Sequence, residues 1–205
     1  MRGGGDADQG LVDTAVHAVT PTPANLRRAV AVLKRGGIIA SPTEAVYGLG
    51  CDPQNASAVR RLIAIKHRIA HKGLILVGAS LAQFRPWLRT MNGEQQTRML
   101  ASWPGPITWL VPARPNVPRG LRGQHASLAV RVSAHATVRA LCEAWDGPLV
   151  STSANISGLP AARTVSEVRR YFGRRVDYIV SGTLGGAAKP CEIRDAITGA
   201  VVRGA

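Results

Sequence analysis

Four short segments of this 205-residue chain carry side chains whose types and spacing suit work on a small polar or anionic ligand. The run Lys66-His67-Arg68-Ile69-Ala70-His71-Lys72 gathers three permanent cations. An ammonium is a point charge for a phosphate oxygen and a guanidinium between two of them binds bidentately, so a polyphosphate is the natural ligand. Cations at a helix C-terminus also arise for the macrodipole alone. Scarcity weighs against that reading, because the chain has 26 Lys+Arg but only four lysines, Lys34, Lys66, Lys72 and Lys189. His67 and His71 stand at i, i+4, a metal-binding spacing, but no third ligand lies nearby in sequence.

The segment Pro42-Thr-Glu-Ala-Val-Tyr-Gly-Leu-Gly50 offers a hydroxyl at Thr43, a carboxylate at Glu44 and a phenol at Tyr47. Gly48 and Gly50 let backbone approach a ligand, which suits a small polar substrate, although an ordinary strand-to-helix connection has the same residues. Ser151-Thr152-Ser153-Ala154-Asn155 presents hydroxyls and an amide with little bulk, suited to phosphate or ribose oxygens or, equally, to holding their own turn. In Ser127-Leu-Ala-Val-Arg-Val132, Arg131 sits among apolar neighbours and needs an anionic partner, either Glu44 or a substrate carboxylate. P-loop, dinucleotide-binding, nucleophile-elbow and HExxH patterns are all missing, so a nucleotide would have to be held without a P-loop.

These segments fall at the ends of readable elements. Thr22-Pro23 opens a helix to about Arg35, closed by a glycine pair, and Asn55 or Ser57 caps a second helix before the lysine run. Short helices are expected over Ser80 to Leu88 and Gly93 to Leu100, a longer one over His135 to Trp145, and a capping box, Thr164 to Glu167, opens one to about Phe172. Strands are expected at Ile38 to Ala40, Gly73 to Val77, Ile107 to Ala113, Ser127 to Val132 and Pro148 to Thr152. The end supplies three more in VDYIV, CEIRDA and GAVVRG, the last two joined at Thr198-Gly199. Ser41 to Pro53, with two prolines and two glycines, reads as a turning connection. Alternating helices and strands closed by a hairpin predict an α/β domain with a mixed, twisted sheet, and its strand ends and loops are where a ligand would sit.

Composition bounds the rest. The length suits one domain, and a hydrophobic fraction of 45% with 19% charged residues is too apolar for a disordered chain. Mean hydropathy is +0.03, and no apolar run approaches the roughly 18 residues of a spanning helix. Three cysteines without CxxC or Cys/His spacing suggest neither a disulfide framework nor a structural zinc site, and fit a reduced cytoplasm. Residues 1–20 read as a disordered leader and 21–205 as the domain. The net charge of +14 points toward anionic partners. A GC-rich genome could account for the total of arginine but not its placement: between Asp52 and Glu143 the one acid is Glu94, against 13 Lys and Arg.

Taken in order, SPTEAVYGLGCDP, KHRxxxKGLILV, SWPGPITWLVPA, SLAVRVSAH, PLVSTSANISGLP and CEIRDAITG closely resemble the YrdC/TsaC family of threonylcarbamoyl-adenylate synthases, over roughly Pro23 to Gly204. The chain is similar to the short, single-domain bacterial form. The resemblance implies an open, twisted mixed α/β sheet with flanking helices and a basic concave groove. It implies a reaction of L-threonine, bicarbonate and ATP to threonylcarbamoyl-AMP and pyrophosphate, with Mg²⁺ carried mainly by ATP. A partner transferase complex then modifies the adenosine at position 37 of tRNAs reading codons that begin with A.

Residue by residue, the resemblance assigns Lys66, Arg68 and Lys72 to the phosphates as the catalytic cations. Arg68, Lys72, Ser153, Asn155 and Arg203 become ATP contacts, and Thr43, Tyr47, Arg131, Ser151 and Thr152 threonine contacts, with no protein ligand for the metal. It implies a cytoplasmic protein with no membrane association. Ala45, Ile69 and Cys191 depart from the family pattern, where Thr, Pro and Ser are common. The competing expectation is a non-enzymatic module binding tRNA or double-stranded RNA through its cationic middle. The low aromatic content, 4%, argues against it, because base stacking needs exposed rings.

Overall fold

In the computed structural model, which describes residues 21–68, 72–187 and 191–204, helix α1 spans Pro23–Lys34. Thr22 caps it by accepting from the Asn25 amide, with Pro23 at the first helical position, and it buries Ala29, Val32 and Leu33. Asn55 likewise caps α2, Ala56–Ile65, by accepting from Ala58. The other helices are α3 (Gly93–Leu100), α4 (Arg119–Arg122), α5 (Ala136–Trp145) and α6 (Val165–Phe172). The Thr164–Glu167 capping box closes as its spacing predicts. Ser80 to Leu88 forms only a 3₁₀ turn at Leu81–Phe84.

Nine strands form one mixed sheet among the described residues: β1 (Ile39–Pro42), β2 (Tyr47–Gly50), β3 (Ile75–Gly78), β4 (Thr108–Pro112), β5 (Ser127–Val132), β6 (Leu149–Ser153), β7 (Tyr178–Ile179), β8 (Ile193–Asp195) and β9 (Val201–Arg203). Their order is β7-β1-β2-β6-β3-β5-β4-β8-β9. β3 runs parallel to β5, β1 to β7 and β4 to β8, and the remaining pairs are antiparallel. The mixed α/β class expected from the sequence is the one found. The stretch Ser41 to Pro53 is not simply a turn: it folds back as the β1–β2 hairpin, placing Ser41 opposite Gly48. Its glycines obscure the strand because they carry no β signal while still pairing normally. The 119–122 helix, inside a Pro- and Arg-containing loop, is likewise invisible to periodicity.

Strand alternation divides the core. Ile39, Val77 and Leu149 meet α1 and α5 on one face through Val32, Leu33, Val138 and Leu141. Ala40, Leu49, Leu76 and Val150 join Leu62, Trp109 and Phe172 on the other. On the first face, Val77 is paired with Leu149 beneath the helices. Two residues along, Ile75 is paired with Ser151, and there both line an open cavity. The expected leader, residues 1–20, lies outside the described residues, as do Ile69 and His71 of the basic run.

Candidate active site

A cavity of about 370 Å³ opens where the sheet runs out beyond the helices. The β1–β2 hairpin contributes Thr43, Glu44 and Gly48, β5 Arg131, β6 Ser151, Thr152 and Ser153, the segment before α6 Arg163, the segment after α2 Arg68, the segment before β8 Cys191 and β9 Arg203. Gly48 leaves room on the cavity floor. A Cβ there would meet Thr43 Cγ2 at 3.1 Å and Ser151 Oγ at 3.4 Å, narrowing the floor between two hydroxyl-bearing residues. Thr43 holds the hairpin turn by donating its hydroxyl to the Val46 carbonyl at 2.7 Å.

On its wall Arg131 and Glu44 form an ion pair, Nη1 to Oε2 at 2.9 Å, with side chains only 7% and 13% exposed. Of the two partners anticipated for Arg131, Glu44 is the one present. Ser133 donates its hydroxyl to Glu44 Oε1 at 2.6 Å, and Arg131 Nη1 donates to Cys191 Sγ at 2.9 Å. Burial by itself would raise the Glu44 pKa, but the Arg131 charge and the Ser133 hydroxyl outweigh it and hold the carboxyl below its ordinary value. Burial raises the Cys191 thiol instead, against the pull of Arg131, so it stays protonated.

Arg68, Arg163 and Arg203 line the same cavity. Arg68 donates to the Gly73 carbonyl at 2.9 Å and Arg203 to the Cys191 carbonyl at 3.0 Å, which fixes two of the three arms. Gly73, at φ +63°, turns the chain into β3 close against the Leu121 and Arg122 carbonyls. Burial and then the charge of Arg203 depress the Arg68 pKa, while its guanidinium remains charged. Sequence reasoning missed Arg163. It precedes the capping box of α6, and its position in that connection was a findable signal.

Four expected residues are not on this wall. Tyr47 points to the opposite face from Gly48, its ring 2% exposed in the core and its hydroxyl donating to the Gly182 carbonyl at 3.1 Å. Strand alternation makes that unavoidable once Gly48 faces the cavity. Lys66, expected as an open phosphate cation, is 2% exposed. Its ammonium donates to the Ser153 carbonyl, to the Asn155 carbonyl at 2.8 Å and to Asn155 Oδ1 at 3.1 Å. Burial, with the Arg68 charge, pulls its pKa down to about 8. Asn155 spends its amide on the same loop, accepting also from Ser153 Oγ at 2.7 Å and donating to Leu159 O at 2.8 Å. Lys72 is exposed. Thus Lys66 and Asn155 shape the turn that presents Ser153, rather than facing the cavity themselves.

Among the described residues no group of three or more His, Cys, Asp or Glu could hold a metal ion. No helix among them is long and apolar enough to cross a membrane.

The Sua5_yciO_yrdC family model, described as telomere recombination, matches residues 31–204. Threonylcarbamoyl-AMP synthase of Halorhodospira halophila is 51% identical over 181 residues, which cover 88% of this chain and 95% of that protein. The crystal structure of P. abyssi Sua5 complexed with L-threonine superposes with a TM-score of 0.78 at 32% identity, over 83% of this chain. This chain matches about half of that longer protein, 50% of its length. E. coli YciO matches over 91% of both chains, with a TM-score of 0.77 and 25% identity.

Proposed function

The chain belongs to the Sua5/YciO/YrdC family, and on that premise we propose that its cavity makes threonylcarbamoyl-AMP from L-threonine, bicarbonate and ATP, releasing pyrophosphate. The observation that carries this is one cavity lined by a buried Glu44–Arg131 pair, by the hydroxyl-bearing Thr43 and Ser151, and by three further arginines, Arg68, Arg163 and Arg203. Hydroxyls and an ion pair suit an amino acid, and the further arginines suit a triphosphate.

In this reading the unprotonated threonine amine forms an N–C bond to the carbon of bicarbonate, a C–O bond breaks and water leaves, giving a carbamate. A carbamate oxygen then attacks the α-phosphorus of ATP, forming a P–O bond as the bond to pyrophosphate breaks. Charge accumulates on the leaving pyrophosphate, and Arg68, Arg163 and Arg203 would neutralise it. Ser153 and the turn held by Lys66 and Asn155 would carry nucleotide oxygens. No side-chain nucleophile is required, since holding carbamate and α-phosphorus in line supplies the acceleration. With no protein cluster fit to hold Mg²⁺ among the described residues, the ion would ride on the ATP phosphates, and no step is assigned to it.

The product would pass to a transferase complex that acts on tRNA, in a cytoplasmic setting. The test is pyrophosphate release with ATP, bicarbonate and each amino acid supplied separately, the adenylate being identified by mass. We expect turnover only when threonine, bicarbonate and ATP are all present. Absence of threonine-dependent release would overturn the assignment.

A further inference from the structure

A second cavity, of about 310 Å³, holds three arginines, Arg85, Arg89 and Arg114, over an apolar floor of Leu81, Leu88 and Met91. No described residue lines both this cavity and the first. Thr108 lines the first at the start of β4 and Arg114 the second just beyond its end, about 20 Å away at the rise of an extended strand. Like charges lining one cavity repel one another, which costs free energy unless an anion lies between them. No carboxylate is among the described residues that line it, and the three arginines form no ion pair with any described residue. Glu94, the one acid between Asp52 and Glu143, is already paired with Arg98 at 2.5 Å. We propose that this second cavity binds the phosphate of a nucleotide, with the sugar or base lying on Leu81, Leu88 and Met91.

Two of the three guanidiniums are fixed ahead of any ligand. Leu88 and Ala113 form an antiparallel bridge, across which the Arg89 amide donates to the Pro112 carbonyl at 2.9 Å and the Arg114 amide to the Trp87 carbonyl at 3.0 Å. The side chains repeat the exchange: Arg89 Nε donates to the Ala113 carbonyl at 3.3 Å and Arg114 Nε to the Leu88 carbonyl at 2.9 Å. Each Nε is thus spent on the facing segment, while the terminal nitrogens of both forks have no acceptor among the described residues. A guanidinium anchored in this way loses little freedom on binding, and its Nη1 and Nη2 are a pair that can grip two oxygens of one phosphate. Arg85 follows the 3₁₀ turn Leu81–Phe84, and its side chain makes no hydrogen bond to a described residue, so it is the arm that can close on the anion. The floor sets the ligand apart from a bare phosphate ion. Contact with the half-buried Leu81 and Met91 favours a sugar or base and offers an inorganic ion nothing. Such a phosphate is carried by a free nucleotide or by a nucleotide unit of an RNA strand.

The experiment titrates two probes into the full-length wild type and into the double variant Arg89→Gln/Arg114→Gln: AMP, read by calorimetry, and a fluorescently labelled single-stranded oligoribonucleotide about ten nucleotides long, read by anisotropy. A drop of at least about tenfold in RNA affinity, the scale of one charge-assisted phosphate contact, identifies an RNA strand as the source of the phosphate. Loss of one AMP-binding site from the double variant, seen as a lower stoichiometry, identifies a free nucleotide. Either result supports the proposal. Both probes bound alike by the two proteins, or bound by neither, overturns it. Pyrophosphate release should stay within about twofold of wild type in the double variant, because the two cavities are distant and share no residue. Should the double variant fail to fold, having given up two contacts to backbone carbonyls, Arg85→Glu takes its place. That change removes no hydrogen bond to a described residue and reverses one charge at the cavity, so the same loss of at least about tenfold is expected, and unchanged binding of both probes overturns the proposal.

Discussion

Lys66 illustrates how a residue's chemistry follows from its surroundings. A lysine in a basic run at a helix end is expected in water, yet here its ammonium is buried under the β6 turn with three oxygen acceptors around it. Lys66→Ala should therefore cost stability as well as turnover, at about 1–3 kcal/mol for each acceptor left buried without a donor, measured by urea unfolding. The sign of the pH dependence is fixed by its pKa of about 8 against 10.5 for an unburied lysine. Between those values the unfolded chain binds more protons than the folded one, so the stability of the wild type relative to the Ala variant should rise as pH increases from about 8 toward 10.5. A gap between the two proteins that stays constant across that window would show the ammonium to be solvated.

At the scale of elements, the cavity exists because two neighbouring strands outrun their helical cover. Where α1 and α5 pack, β3 and β6 present Val77 and Leu149, and one pair further on they present Ile75 and Ser151. The β1–β2 hairpin completes the floor only because Gly48 leaves room between Thr43 and Ser151. Gly48→Ala places a methyl 3.1 Å from Thr43 Cγ2, a contact the side chain relieves by a small shift. We expect a folded protein, its unfolding free energy within about 1 kcal/mol of wild type, with KM for threonine raised about tenfold. Unchanged kinetics would mean that the floor of the cavity is not where threonine sits.

For the whole molecule, the charge of +14 divides into two parts. Four arginines line the cavity, Lys66 is buried as the prop of a turn, and the exposed Lys and Arg among the other described residues suit a polyanion. The two roles separate by ionic strength. If the outer cations bind a polyanion, with tRNA as the probe, raising salt from about 50 to 200 mM should weaken that binding at least about tenfold, through counterion release, while pyrophosphate release at saturating substrates changes by less than about threefold. Parallel loss of both would argue that one surface serves RNA and catalysis together.

The sequence by itself determined the class of fold, because caps, glycine stops and apolar alternation are local signals: Thr22, Asn55 and the Thr164–Glu167 box all act in the structure as their spacing predicts. Ordered motifs likewise sufficed to place the chain in its family. Local signals do not encode strand order, and only that order brings Arg68, Arg163 and Arg203 to one cavity and sets Glu44 against Arg131. Nor do they encode burial, which turned Tyr47 into core and made Lys66 the prop of a turn. A side chain's charge is written in its residue type, but whether that charge is available to a ligand depends on which distant neighbours have already claimed it.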